Sequence, residues 1–136
     1  MAADIDEHKA LIDKIAKKNI LVIDDEGLIT KTLCDLLKRA GYWADASQDG
    51  FDAIDKTEDA DFDLIISDIK MPDLDGIQTV KKIRAASRIK NKPEVPVIFI
   101  TGYADSPATA EARKLGEVLL KPFDTKEFLN RVAKYL

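Results

Sequence analysis

Five polar residues close four short apolar runs. Asp24 and Asp25 follow Ile20-Leu21-Val22-Ile23, Asp68 follows Leu64-Ile65-Ile66-Ser67, Thr101 follows Val97-Ile98-Phe99-Ile100, and Lys121 follows Val118-Leu119-Leu120. If those runs are parallel strands of one sheet, the five groups meet at one edge. Three carboxylates in one place repel each other and stay ionised at least cost around a hard divalent cation. Mg2+ keeps several waters and takes few protein carboxylates, so two or three Asp suit it better than Ca2+, which wants more oxygens. A metal in such a place offsets charge during phosphoryl transfer. In that chemistry Asp68 is the nucleophile and forms an acyl phosphate. Lys121 supplies a cation and the Thr101 hydroxyl a donor for the phosphoryl oxygens. A single Asp after a strand is ordinarily a turn or cap residue. Five polar groups at matching strand ends, with Pro122 directly after Lys121, are not explained that way.

The elements that must position these groups are readable from periodicity. The four runs are short, rich in Val and Ile, and do not alternate, as expected of strands buried on both faces of a parallel sheet. A weaker strand is expected at Tyr42–Ala46. Ile29, Leu33, Leu36, Leu37 and Ala40 follow a helical period that Gly41 ends. A short second helix is expected from Gly50 to Thr57, and a third carrying Ile77, Val80 and Ile83 to about Ala86. Ser106-Pro107 opens a fourth, which Gly116 stops. Asp124 and Glu127 read as an Asp-led capping box for a fifth, burying Phe128, Val132 and Leu136. The order is β-α five times, which implies a parallel sheet with helices on both faces and right-handed crossovers. Ligands in such sheets bind outside the carboxyl ends of the strands. Ile5, Leu11, Ile12 and Ile15 predict an amphipathic helix in residues 1–18, ahead of the first strand.

Composition narrows the function. The chain has 136 residues, 46% hydrophobic and 34% charged, with a net charge of −4. That suits one ordinary globular domain and argues against non-specific nucleic-acid binding. No apolar stretch approaches the ~20 residues of a membrane span. The N-terminus lacks the apolar segment of a secretory signal. The single Cys34 allows no internal disulfide and suits a reducing cytoplasm, where we place the chain.

The chain resembles the receiver domains of response regulators in two-component signalling. The signatures are Val22-Ile23-Asp24-Asp25-Glu26, Asp68-x-x-Met71-Pro72-x-x-Asp75-Gly76, Ile100-Thr101-Gly102 and Lys121-Pro122-Phe123. The resemblance runs from about Ile20 to Leu136. It implies a flavodoxin-like (βα)5 α/β fold with strand order 2-1-3-4-5, here over residues 19–136 behind the 1–18 extension. It implies that Asp68 accepts phosphate from a histidine kinase or histidine phosphotransfer protein. Asp25 would ligate Mg2+ directly, Asp24 largely through water, and the backbone carbonyl of Lys70 would be a further ligand. Thr101 and Lys121 would hold the phosphoryl group, and the Lys121-Pro122 bond would be cis. A stand-alone receiver signals through protein contact, here through the fourth helix, fifth strand and fifth helix, including Lys126, Arg131 and Tyr135. It acts as a relay intermediate or as a switch, as a monomer or weak dimer, without nucleic acid or membrane.

Receivers usually carry an aromatic residue three positions before the lysine, and Val118 stands there. The stretch from Thr101 to Lys121 is also short, which predicts a shortened fourth helix or following loop. Tyr103, two residues after Thr101, is expected to take over part of the switch or to gate the site. Lys70 and Tyr103 should flank the path of attacking water and slow hydrolysis of the acyl phosphate. Two other readings stand beside this one. A haloacid-dehalogenase-type phosphohydrolase needs a second Asp two residues after the nucleophile, and Lys70 occupies that position, so turnover of external phosphate esters is not expected. A pseudo-receiver would bind partners without phosphorylation. Elsewhere, His8 reads as solvated, Cys34 as a packed thiol, Trp43 as packing at the second strand, and Arg84, Arg88, Lys90 and Lys92 as a solvated basic run. The 1–18 extension would pack on the domain or make a dimer contact.

Overall fold

The computed structural model describes residues 7, 8, 11 and 17–136. Among the described residues from Asn19 onward, five strands and five helices alternate: β1 (Asn19–Ile23), α1 (Gly27–Arg39), β2 (Trp43–Ser47), α2 (Gly50–Asp59), β3 (Leu64–Asp68), α3 (Gly76–Ile89), β4 (Val97–Thr101), α4 (Pro107–Leu115), β5 (Glu117–Leu120) and α5 (Thr125–Ala133). The strands form one parallel sheet in the order β2-β1-β3-β4-β5, as expected. Glu7, His8 and Leu11 have helical backbone and are exposed, which agrees with a solvated His8. The rest of the predicted helix ahead of Lys17 lies outside the described residues.

The sheet divides the core in two. Ile20, Val22, Ile66, Ile98 and Leu119 face one side and pack with Leu33, Leu37, Phe128 and Val132 of α1 and α5. Leu21, Ile23, Ile65, Val97 and Phe99 face the other and pack with Ala53, Ile77, Val80, Ile83 and Ala112 of α2, α3 and α4. Successive strand residues point to opposite faces, so both faces must be apolar, which is why the runs do not alternate. Cys34 packs in the first cluster, and burial pushes its thiol up.

Local signals set the helix limits. After α1, Gly41 takes φ +99° while its N–H bonds the Lys38 carbonyl and Tyr42 N–H bonds the Leu37 carbonyl. This paired closure needs a residue that tolerates the left-handed region, and glycine does so at no steric cost. Asn91 (φ +55°) plays the same part after α3, with Lys92 N–H on the Ser87 carbonyl. α3 therefore runs three residues beyond the expected Ala86, to Ile89. β2 is shifted by one residue from Tyr42–Ala46, and α2 reaches Asp59 rather than Thr57. α4 is nine residues long, and Gly116 alone separates it from β5.

One sequence expectation is overturned. Arg84 is not part of a solvated run: it is buried. Its guanidinium donates to the carbonyls of Leu115 (2.6 Å) and Val95 (3.2 Å), with Glu94 at 3.6 Å. Its place on the inner side of α3, beside Ile83, puts it where the backbone entering β4 and the end of α4 both present unpaired carbonyls. Trp43 is partly exposed at the start of β2, with the Lys17 ammonium 4.6 Å from its ring centroid.

Candidate functional site

The carboxyl ends of β1, β3, β4 and β5 bring together what the sequence separates. One carboxylate oxygen from each of Asp24, Asp25 and Asp68 lies within 4.8 Å of the others, and among the described residues this is the one such ligating cluster. Asp24 is fixed from both sides. Its N–H bonds the Ser47 carbonyl at 3.1 Å, and its Oδ1 accepts the Glu26 N–H at 2.9 Å, turning the chain into α1. Only 4% of Asp24 is exposed, Asp68 is half-buried and Asp25 faces solvent.

Asp68 ends β3. Its Oδ1 accepts the Ile69 N–H at 3.0 Å, and that N–H also approaches the Ile100 carbonyl at 3.3 Å. The following loop is anchored by the buried side chains of Ile69, Met71 and Leu74. It returns to the strand end, where Gly76 N–H bonds the Ile69 carbonyl at 2.8 Å. A Cβ at Gly76 would stand 2.0 Å from the Asp68 carbonyl oxygen, so only glycine allows α3 to start this close to Asp68. Asp75 then caps α3 in a reciprocal pair with Gln78.

Thr101 ends β4 and is 4% exposed. Its backbone carbonyl accepts the Lys121 N–H at 2.9 Å, which extends the β4–β5 ladder by one rung and fixes Lys121 beside it. The Lys121-Pro122 bond is cis, as expected. Phe123 then stacks on Phe128, with centroids 5.7 Å apart, holding the loop after Lys121 onto α5.

The electrostatics follow from burial. Asp68 is pushed up to about 6, first by burial and then by the charge of Asp24, while Lys121 and the Ile69 N–H pull the other way. Burial likewise raises Asp24, against the Glu26 N–H and Lys121. The carboxyls therefore resist being charged together, and one lysine does not fully compensate. A donor set of hard oxygens short of positive charge is what a hard divalent cation satisfies.

Comparison with known proteins agrees with this geometry. The family model of the response regulator receiver domain matches residues 20–133. The chain belongs to the response-regulator receiver family. This receiver is 32% identical over 125 residues to the response regulator receiver protein CpdR of Brucella abortus, covering 88% of this chain and 97% of that protein. It is similar in structure to the chemotaxis protein CheY4 of Vibrio cholerae, with a TM-score of 0.79, 31% identity, and coverage of 89% of this chain and all of that one. It is also similar to the response regulator TrrA of Thermotoga maritima, solved in complex with Mg2+-BeF. That match has a TM-score of 0.75 and 30% identity, and covers 88% of this chain and 98% of that one. The receiver spans about half or less of the length of the transcriptional regulators it matches. Among the described residues no helix is long and apolar enough to cross a membrane.

The three residues expected around the switch are placed as follows. The Lys70 ammonium lies 4.0 Å from the Tyr103 ring centroid, and that tyrosine is 58% exposed. Val118 is half-buried against the cluster of Val97, Phe99 and Ala112 and carries no ring. Two further residues were not singled out from sequence beyond a helix cap. Ser106 and Thr109 hold the Tyr103 backbone, with the Thr109 hydroxyl 2.5 Å and the Ser106 hydroxyl 3.5 Å from the Tyr103 carbonyl. Their three-residue spacing at a helix start is the signal available in the sequence. On the proposed contact face, Arg131, Lys134 and Tyr135 gather around Glu117 at the start of β5.

Proposed function

We propose that this receiver is a Mg2+-dependent phosphoacceptor switch in which Asp68 takes a phosphoryl group from a histidine kinase or a histidine phosphotransfer protein. The observation that carries the reading is the half-buried Asp68 carboxylate, within 4.8 Å of two further carboxylates and under the influence of Lys121. Asp24, Asp25 and Asp68, with the Lys70 carbonyl, would hold the cation, Asp24 largely through water. When bound, Mg2+ offsets the negative charge that the carboxylates and the phosphoryl oxygens share.

An Asp68 oxygen attacks phosphorus, a P–O bond forms, and the P–N bond of the donor phosphohistidine breaks with its electron pair left on the imidazole. With its titration near 6, Asp68 is mostly ionised at neutral pH and is more basic than an ordinary carboxylate. Thr101 and Lys121 take the phosphoryl oxygens as hydrogen-bond donor and cation. Water later attacks the acyl phosphate and releases inorganic phosphate. Lys70 and Tyr103 restrict that water. The protein thus assists its own phosphorylation and dephosphorylation, and it is a signalling domain rather than an enzyme for external substrates.

The new charge selects a minor conformation that a protein target reads on α4, β5 and α5, where Leu120, Lys126 and Tyr135 are exposed. Passing the phosphoryl group on to another histidine uses the same site. Val118 favours a second reading, a scaffold that binds unphosphorylated, since the fifth strand offers no ring to swing. Intact-mass analysis after incubation with Mg2+ and a small acyl-phosphate donor separates the two. One added phosphoryl group, lost when Mg2+ is chelated, is the result for a switch. No uptake, beside a control receiver that reacts, is the result for a scaffold.

A further inference from the structure

Tyr103 is held at both of its backbone groups. Its N–H donates to Thr101 Oγ1 at 3.2 Å, and its carbonyl accepts from Thr109 Oγ1 at 2.5 Å. Thr109 is fully buried and is the third residue of α4, after Pro107 and Ala108. Its hydroxyl proton is committed to Tyr103, so the Ser106 hydroxyl donates to Thr109 Oγ1 at 2.9 Å, while Ser106 Oγ accepts the Thr109 N–H at 3.1 Å. The Ser106 hydroxyl also reaches the Tyr103 carbonyl, at 3.5 Å, so the Thr109 hydroxyl at 2.5 Å is the nearer of the two donors on that carbonyl.

We propose, on the phosphoacceptor reading above, that Thr109 is a positioning residue: through the Tyr103 carbonyl it ties the Thr101 hydroxyl to the start of α4. Thr101 is the group that turns to a phosphoryl oxygen on Asp68. Turning displaces Oγ1 from the Tyr103 N–H, the Tyr103 segment follows, and its carbonyl draws on a side chain inside the first turn of α4. The link is short and buried at its Thr109 end, so water does not substitute for the hydroxyl there. It does for this chain what Val118 cannot do from β5. It also sets where the Tyr103 ring stands, and with it the contact to Lys70.

The test uses the isotopically labelled full chain with Thr109→Val, which keeps shape and removes the donor, and Thr109→Ser, which keeps the donor. Without any phosphoryl donor, Thr101→Val is introduced into each background and the amide resonances of residues 108–112 are followed. The link predicts that Thr101→Val moves these resonances in the native and Thr109→Ser backgrounds, and by at most about half as much with Thr109→Val. Equal movement in all three backgrounds overturns it. With Mg2+ and an acyl-phosphate donor, phosphoryl uptake is expected in the native protein and both Thr109 variants, with the α4 response lost in Thr109→Val alone. If the native protein takes up no phosphoryl group, the phosphoacceptor reading fails, while the comparison without donor still decides the link. Should Thr109→Val not fold, Thr109→Cys, whose thiol is a weak donor, takes its place.

Discussion

The Lys70 ammonium, two residues beyond Asp68, stands 4.0 Å from the ring centroid of Tyr103, two residues beyond Thr101. An exposed cation–π contact of this kind is worth about 0.5–1 kcal/mol. On the proposed reading, loss of either partner should free the other and open the approach of water to an acyl phosphate on Asp68. Lys70→Ala and Tyr103→Ala should each speed its decay by about 2–5-fold, which is that energy taken as a barrier. The double variant should decay about as fast as the faster single one. Unchanged decay in both single variants, read by timed intact-mass analysis, contradicts a screening role.

Asp68 gives a pH prediction whose sign is fixed by its raised titration. Its folded value of about 6 lies above the ordinary 3.8. The folded state therefore binds the extra proton between those values, and stability contributed by this group falls as pH rises from about 4 to about 6. Two units correspond to at most about 3 kcal/mol. In chelator, Asp68→Asn should be more stable than the native chain at pH 7 by about 1–3 kcal/mol, with the gap closing toward pH 4. Denaturant unfolding at several pH values measures it. A gap that widens toward acid reverses the sign and refutes the account of burial.

Metal binding should weaken when the cluster loses a charge. Asp25→Asn and Asp24→Asn should each lower Mg2+ affinity by at least about tenfold, since even indirect partners of a metal cost that much. Added Mg2+ should also raise the unfolding midpoint of the native chain far more than that of either variant. Calorimetric titration and thermal unfolding with and without Mg2+ check both. An Asp25→Asn variant that binds Mg2+ like the native protein removes Asp25 from the ligand set.

Arg84 predicts a purely structural effect. Arg84→Met keeps the stem but leaves the part-buried carbonyls of Leu115 and Val95 without their donor. The expected loss is about 2–4 kcal/mol. Asp68 lies at the opposite end of β3, so phosphoryl uptake by the folded fraction should be unchanged. A loss of uptake at full folding would assign Arg84 a part in the site.

Much of this molecule is legible in its sequence because burial on both faces leaves a strong mark. β1, β3 and β4 are unbroken Val/Ile-rich runs since helices cover them from both sides, and their terminal polar residues locate the site. β2 is legible only weakly: Trp43-Ala44-Asp45-Ala46 forms an edge strand and is half exposed. α3 outlasts its periodicity because Ile89 is almost wholly exposed, and Asn91 rather than an apolar position sets its end. Arg84 looks like a solvent residue because its partners, the carbonyls of residues 95 and 115, leave no trace in side-chain pattern. Thr109 is hidden for the same reason, since its hydroxyl is spent on the Tyr103 backbone.

The identity of the acceptor is the centre of the account, and one measurement reads it directly. The protein is treated with Mg2+ and an acyl-phosphate donor and then reduced with borohydride, which converts an aspartyl phosphate to homoserine, and its peptides are sequenced by mass spectrometry. The account predicts homoserine at position 68 alone, and none when Mg2+ is withheld or Asp68 is replaced by Asn. Homoserine at position 24 or 25, or a phosphoryl group that survives reduction on another side chain, would contradict it.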